Sequence, residues 1–492
     1  LRSAGLDTAN IVVLQGPSTE FGIAAIGQPV PTRNEEDLRA PELQIVWERT
    51  ADIPAYSLPA NARVFSRERW KHAPLMAGWK QGEKIYLWTA VEPGESGYER
   101  FPYLPQAAME LGAMPLARSN RLWAFFDGSY RARADVDFLA PRWKQAGIAA
   151  LHVAAWHYWE RDPTRDAYLK QLIDACHRNG ILVYAWFEFP HVSEQFWADH
   201  PEWREKTALN QDARLDWRKL INLQNEASSK AVAAGFEQLL LAFDWDGVNL
   251  AELYFESLEG PANPARFTPF NADALNGYGK PAKLTDPGFL DYRAELARRL
   301  QTEWLDHADQ VRKRKPHLDI VLTHVDDRFD KTMREKIGAD AGEVLPLLKQ
   351  RDFTFLVEDP ATIWDLGPKR YSEIAARYRP ITPRPEKLGI DINITSRYQN
   401  TYPTKQQTGS ELFALVHQAA ISFPRVALYF ESSIPTLDWT LLGSSAAALT
   451  RYERVGARIE TESAQGAGIA FSGPALVRRT RCLRLDRKST RL

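Results

Sequence analysis

The chain has 492 residues, enough for two or three domains with a large buried core. Its acidic and basic residues nearly cancel to a formal net charge of -1, so no bulk field would draw it to nucleic acid or to an anionic membrane surface. Cysteine occurs only at Cys176 and Cys482, which excludes a disulfide framework and a cysteine-based zinc site.

Residues 1–118 show short alternating segments without a regular repeat. Strands are predicted at 11–15, 43–47, 62–65 and 82–88, and a helix at 103–111. We interpret this region as a small, partial α/β domain. The order of its last segments, from Pro74 through Gly78 to the strand and the aromatic helix, resembles the end of a glutamine-amidotransferase-like domain. No cysteine lies in 1–118, so the nucleophile of such an enzyme is lacking there and a non-catalytic domain is expected.

From Arg121 onward, apolar strand segments alternate with helical segments eight times, as parallel βα units do. This pattern predicts a (β/α)8 TIM barrel at 119–450, because eight mostly apolar strands fit a closed barrel better than an open sheet. No Gly-x-Gly-x-x-Gly follows the first strand, which removes the dinucleotide-binding alternative. The predicted strands are 122–126, 148–154, 181–187, 248–252, 319–323, 353–357, 388–394 and 426–430.

Two further segments and the start of the chain complete the predicted organisation. An insert at 256–287, rich in Pro, Asn and Gly, has the length of an active-site loop. Residues 451–492 are expected to be a C-terminal extension, truncated or disordered, because 478–492 is basic and has no clear period. The chain starts at Leu1 without a signal peptide and is expected to be a fragment, and no apolar run reaches transmembrane length.

Carboxyl groups follow most of the predicted strands. In a TIM barrel the functional groups gather at the C-terminal ends of the strands, so acids there are candidates for catalysis. Each of them could instead form an ion pair or cap a helix. The candidates are Asp127, Glu188, Glu252, Glu358 and Glu431 at the strand ends, and Asp391 within the seventh strand.

Hydrolysis of a glycosidic bond needs two carboxyl groups, one to protonate the leaving oxygen and one to attack the sugar or activate water. Glu252 is the predicted general acid, since desolvation at the end of an apolar strand favours its protonated form. Glu358 is the predicted partner, because the fourth and sixth strands lie two positions apart around the barrel. Tyr254 would share the strand face of Glu252, while Glu431 and Asp391 are reserves.

Histidine and tryptophan side chains near the strand ends are predicted to bind substrate. The chain holds 16 Trp, and flat indole faces suit sugar rings, although large domains also bury Trp in their cores. His152 and His157 could orient a hydroxyl group, remain structural, or join an acid in a metal site. The predicted tryptophans are Trp156, Trp186 and Trp364.

Three segments resemble the glycosyl-hydrolase-like barrels described as family-10-like. They are Ile181-Leu-Val-Tyr-Ala-Trp-Phe-Glu-Phe-Pro190, His200-Pro-Glu-Trp203 followed by Leu220-Ile-Asn-Leu223, and Phe243-Asp-Trp-Asp-Gly-Val-Asn-Leu-Ala-Glu252. The resemblance covers roughly 120–430 and implies a barrel acting on carbohydrate, with the acidic end of the last motif at Glu252. The preceding position is usually Asp in that group and is Ala251 here, a departure that affects the mechanism.

The leading hypothesis is a glycoside hydrolase of an oligo- or polysaccharide, with Glu252 and Glu358 as catalytic residues and no cofactor or metal. The alternative is a non-catalytic carbohydrate-binding barrel in polysaccharide or cell-wall metabolism. A metal-dependent hydrolase using His152, His157 or Glu188 is the third hypothesis. The expected partner is a carbohydrate, without nucleic acid or a transmembrane segment. An extracellular or periplasmic location is favoured, and the pattern leaves the oligomeric state open.

Overall fold

The computed structural model of the chain describes residues 6–7, 10–42, 45–94, 100–115, 119, 122–215, 217–255, 259–329, 331–359, 367–394 and 409–446, and the backbone of 456–463 and 466–472. Within these residues, no helix is long and apolar enough to cross a membrane.

The described residues of the N-terminal region form one six-stranded sheet and one α-helix. Its strands are β1 (Ile11–Gln15), β2 (Ala24–Asp37), β3 (Ile45–Ser57), β4 (Arg63–Glu68), β5 (Pro74–Gln81) and β6 (Lys84–Thr89), followed by α1 (Leu104–Glu110). The order is β1-β6-β5-β4-β2-β3, and only β1 and β6 run parallel. The region therefore contains more β structure than the sequence predicts, since β2 and β5 are additional.

The remaining strands include the eight strands of the predicted barrel. They are β7 (Leu122–Phe126), β8 (Ile148–Ala154), β9 (Leu182–Glu188), β10 (Arg214–Leu215), β11 (Arg218–Lys219), β12 (Gly247–Ala251), β13 (Asp319–Val325), β14 (Thr354–Asp359), β15 (Leu388–Asn393), β16 (Val426–Tyr429), β17 (Gly456–Ser463) and β18 (Gly466–Ser472). Strands β7–β9 and β12–β16 close into an eight-stranded barrel in which every pair is parallel. The predicted TIM-barrel architecture is confirmed.

Helices surround the barrel, and most of them begin at a side-chain cap. They are α2 (Val136–Gln145), α3 (Pro163–Arg178), α4 (Glu194–Asp199), α5 (Glu226–Ala242), α6 (Ala272–Tyr278), α7 (Pro287–Arg314), α8 (Met333–Ile337), α9 (Ala341–Val344), α10 (Arg370–Tyr378), α11 (Gly409–Ser422) and α12 (Trp439–Ser445). Seven of them start with a side chain that accepts a hydrogen bond from a backbone N–H of the first turn, which satisfies a donor that the helix itself cannot. These caps are Asp135, Asp162, Ser193, Asn225, Asn271, Asp286 and Asp340.

Alternation along the strands divides the barrel core into two layers. On β9, Val183 and Phe187 belong to the large apolar cluster between the strands and the helices. Tyr184 and Trp186 point the other way and belong to an aromatic cluster inside the barrel. Because successive side chains of a strand alternate between its two faces, this pattern shows which strand-end residues face the interior.

The N-terminal sheet contacts the barrel through α1. Phe413 of α11 and Leu441 of α12 are part of the sheet's own apolar core. The amide of Gln106 donates a hydrogen bond of 2.7 Å to Asp438, which also accepts one of 2.9 Å from the backbone N–H of Gly409. Burial raises the pKa of Asp438 to about 7. The contact is therefore a mixed apolar and hydrogen-bonded surface.

The insert after β12 is partly ordered by its own packing. Its described part contains α6, and Phe267 packs with Phe289 and Leu290 of α7 in a small apolar cluster. The insert follows the C-terminal end of a barrel strand, so it lies on the side where TIM barrels place their sites.

Candidate active site

Three acidic side chains face the barrel interior at the C-terminal ends of β9, β14 and β15. They are Glu188, Glu358 and Asp391. Their neighbours in sequence, among them Phe187, Val357 and Ile390, pack outward against the helices. A fourth acid, Glu252, directly follows β12. The structure therefore brings Glu252 and Glu358 to the same mouth, on strands separated only by β13.

Arg218 supplies a cation to this mouth that the sequence analysis did not identify. It lies on β11, in the hairpin between β9 and α5, and its side chain is 10% exposed. One guanidinium nitrogen forms a salt bridge with Glu252, and another lies 3.8 Å from the carboxylate of Glu188. A neighbouring guanidinium favours the ionised form of a carboxyl group. The protonated state of Glu252 stays a prediction, and the salt bridge acts against it.

The backbone at Glu252 leaves the strand conformation. Its φ is 60°, in the left-handed region that non-glycine residues seldom adopt. The strand alternation therefore ends at Ala251, and the expected shared face of Glu252 and Tyr254 does not exist. Tyr254 packs instead in the outer core, where its ring lies 6.1 Å from that of His324. Unusual backbone geometry of this kind is concentrated at functional sites.

Glu358 and Asp391 are paired in the register of β14 and β15. Burial raises the pKa of Asp391 well above its usual range, and the charge of Asp359 acts in the same direction. Asp359 itself points outward, where the guanidinium of Arg370 binds both of its carboxylate oxygens at 2.9 and 2.8 Å. The β14–β15 side of the mouth can thus hold a proton, while the β9–β12 side carries a cation.

Aromatic side chains form the floor below these acids. Trp186 contacts Phe125 and Trp156 edge-on, with ring centroids 4.8 and 5.0 Å away. Trp156 is 6% and Trp186 3% exposed, so both lie within the floor rather than on a free surface. Trp364 falls outside the described residues.

His152 lies within the floor and not at the mouth. It is fully buried, and burial lowers its pKa to about 3. Its Nδ1 lies 3.2 Å from the Asn249 amide, and the Asn249 oxygen accepts a 2.8 Å hydrogen bond from Thr323. This network joins β8, β12 and β13 inside the barrel, so the neutral ring of His152 takes part in contacts that connect the strands.

His157 is half-buried in the turn that follows β8. Burial lowers its pKa to about 4, and the charges of Arg165 and Lys219 act in the same direction. His157 therefore stays near the rim as a neutral ring. In the described part of the chain, no group of three or more His, Cys, Asp or Glu side chains is arranged to hold a metal ion.

Asp127 and Glu431 lie together beside the mouth, at the ends of β7 and β16. The indole N–H of Trp143 on α2 donates a hydrogen bond of 3.2 Å to Glu431. Burial raises the pKa of Glu431 to about 7, and the charge of Asp127 contributes to this shift. Glu431 is thus oriented toward the surrounding helices, apart from the acids that face the interior.

The fold resembles solved glycoside hydrolases. A β-galactosidase from the Antarctic haloarchaeon Halorubrum lacusprofundi matches with a TM-score of 0.50 and 13% identity, over 68% of this chain and 59% of that chain. The PgaB (BpsB) glycoside hydrolase domain from Bordetella bronchiseptica matches with a TM-score of 0.48 and 12% identity, over 64% of this chain and 94% of that chain.

A third match is the α-L-fucosidase isoenzyme 2 from Paenibacillus thiaminolyticus, with a TM-score of 0.44 and 14% identity, over 67% of this chain and 49% of that chain. No family model matches the chain, and no curated protein matches it. At these identities the likeness shows the fold alone, and function must be argued from the site. The family-10-like and amidotransferase-like resemblances stay predictions.

Proposed function

We propose that this protein is a glycoside hydrolase that acts on an oligo- or polysaccharide, with Glu252 and Glu358 as its two working carboxyl groups. The observation that carries the proposal is that both acids are partly exposed at one barrel mouth, on either side of β13. Glycosidases need two such groups flanking one bond. The fold of the solved neighbours is consistent with this chemistry.

The surroundings of the two acids suggest different roles. Arg218 favours the ionised form of Glu252, which suits a nucleophile or a general base. Glu358 adjoins Asp391, and burial raises the pKa of Asp391 well above its usual range, which favours the protonated form of that carboxyl group. A proton held on this side suits general-acid catalysis. We therefore assign the acid role to Glu358 and the carboxylate role to Glu252, the reverse of the sequence expectation for Glu252.

In the proposed reaction, Glu358 gives its proton to the glycosidic oxygen as the bond from this oxygen to the anomeric carbon breaks. Glu252 either attacks the anomeric carbon or removes a proton from the attacking water. Water supplies the hydroxyl of the new reducing end, so the products are two shorter saccharides. A separation of about 5–5.5 Å between the two carboxyl groups in the complex would indicate retention, and about 6.5–9.5 Å inversion.

A non-catalytic carbohydrate-binding barrel is the second candidate. The salt bridge between Arg218 and Glu252 favours it, because that contact engages the carboxylate which the reaction requires. Binding would then rest on the same mouth without turnover.

A glycan-library screen with product analysis by NMR tests the proposal. On any glycan that the protein cleaves, Glu358→Gln and Glu252→Gln should each lower kcat by roughly 10²–10⁴, the usual contribution of a general acid or base. Glu295→Gln, on the exposed face of α7, is the matched control and should retain activity. Binding without cleavage of any glycan would support the binding barrel. Cleavage that survives both substitutions would move the roles to other carboxyl groups, Glu188 and Asp391 first.

A further inference from the structure

Trp217 is an exposed indole beside the acidic mouth. It lies in the hairpin between β10 and β11 and is 43% exposed, in contrast to Trp156 and Trp186 in the floor. Exposure of a large aromatic side chain leaves an apolar face in water, and such faces are common at binding sites. The residue therefore offers a surface that the buried tryptophans do not.

The hairpin is fixed to the mouth by its neighbouring residues. Arg218, next in sequence, contacts Glu252 and Glu188. The backbone N–H of Lys219 donates a 2.9 Å hydrogen bond to the ring of His191, which follows β9. The ammonium group of Lys219 also donates to the backbone carbonyl of Trp217 at 3.1 Å. These contacts hold Trp217 close to the proposed catalytic groups.

The indole is also held from within the hairpin. The guanidinium carbon of Arg218 lies 5.3 Å from the centre of the Trp217 ring, within the range of a cation–π contact. The same guanidinium is bound by Glu252, so the cation that contacts the ring is itself anchored to the barrel. An aromatic side chain that is already oriented loses less conformational freedom on binding.

We propose that Trp217 is a sugar-binding platform that stacks on a pyranose unit of the substrate, outside the unit that contacts Glu252 and Glu358. The C–H groups of a pyranose face are apolar and match the flat indole, while its hydroxyl groups remain in water. The ligand class is therefore a saccharide chain of several pyranose units rather than a single sugar. The inference rests on the proposed function for its substrate, but it concerns binding and not turnover.

Isothermal titration calorimetry tests the platform with hexasaccharides of β-1,4-linked glucose, xylose, mannose and N-acetylglucosamine. All proteins carry Glu358→Gln, so that hydrolysis cannot consume the probe. Adding Trp217→Ala should weaken the binding of the best hexasaccharide about tenfold, the factor that corresponds to the loss of one aromatic contact. Trp217→Phe should restore most of the affinity because it keeps an aromatic face. Trp70→Ala, at an exposed tryptophan in the turn between β4 and β5, should leave the affinity unchanged.

Equal affinities of the Trp217→Ala protein and its parent would overturn the proposal, as would the failure of the parent to bind any of the four hexasaccharides at millimolar concentration. A loss that Trp217→Phe does not restore would also overturn it, because the aromatic face would then not be the cause. If binding depends on Trp217 but the native protein hydrolyses none of these chains, the platform stands and the glycosidase proposal fails.

Discussion

Arg218 and Glu252 form a salt bridge that joins a hairpin to the end of a barrel strand. The two residues lie 34 positions apart in the sequence, and their side chains are 10% and 13% exposed. A charge pair so little exposed to water is screened less than a surface pair. The pair therefore favours the ionised form of Glu252 and holds the hairpin against the end of the strand.

Arg218→Met tests this control of protonation. Without the neighbouring cation the ionised form of Glu252 is less favoured, so the acidic limb of the pH–rate profile should move upward by about 1 to 3 pH units. Activity at pH 5 should fall more than activity at pH 8. The measurement is kcat against pH on a glycan that the native protein cleaves. Arg214→Met, at an exposed position on the other strand of the same hairpin, should leave the pH–rate profile unchanged.

Arg370→Met should strongly destabilise the barrel. It leaves Asp359, which is fully buried, without the guanidinium that binds both of its oxygens. Breaking a buried pair in this way costs about 3–5 kcal/mol, measured as the free energy of unfolding in urea. Arg178→Ala removes an exposed pair with Asp137 and should change stability by at most ~1 kcal/mol. Similar losses for the two variants would contradict the role given to the Arg370–Asp359 pair.

Glu431 should make the protein less stable as the pH rises. Its pKa is raised from 4.5 to about 7 mainly by burial, so between these values the folded state binds more protons than the unfolded state. The stabilisation from the protonated group is present below pH 4.5 and is lost as the pH rises through about 7, by at most ~1.4 kcal/mol per pH unit.

Glu431→Gln stays neutral throughout and should remove this slope, as measured by urea unfolding at a series of pH values. Glu83→Gln, at an exposed position of the N-terminal sheet region, should keep the native slope. A Glu431→Gln protein with an unchanged slope would show that Glu431 is ionised in the folded state.

His152 should make the protein less stable as the pH falls, the opposite of the effect of Glu431. Burial lowers its pKa from 6.5 to about 3, so between these values the unfolded state binds the extra proton. The stability due to the neutral ring should be present above pH 6.5 and decline as the pH falls toward 3. His152→Gln should flatten this acid-side decline in thermal unfolding, whereas His72→Gln, at an exposed site, should not.

The barrel could be predicted from the sequence because its strands are short, apolar and separated by helical segments. All eight predicted strands overlap the observed ones, with ends that differ by at most two residues. Strand β2 was missed because Gly27, Pro29 and Pro31 resemble a loop. These residues lie near a stretch between Ile26 and Val30 where the pairing with β3 is irregular.

The contacts of the site were less accessible to sequence reasoning. Strand positions identified Glu188, Glu358 and Asp391 as candidate acids, and the alternation of the observed strands then shows that they face the interior. The positive φ of Glu252 and the salt bridge from Arg218 depend on tertiary structure, so no local pattern predicts them. Tryptophan counts likewise do not separate the buried Trp186 from the exposed Trp217. For Trp217, the available signal in the sequence was an aromatic residue next to an arginine in a turn.

The left-handed conformation of Glu252 has a consequence for protein engineering. A side chain at this backbone geometry costs about 1 kcal/mol or more, which glycine would not incur. Selection for thermal stability alone would therefore favour glycine at position 252, together with hydrophobic replacements of the buried charges around it. Stabilised variants obtained without a screen for activity would tend to lose this carboxylate first. This is the usual trade-off between stability and activity.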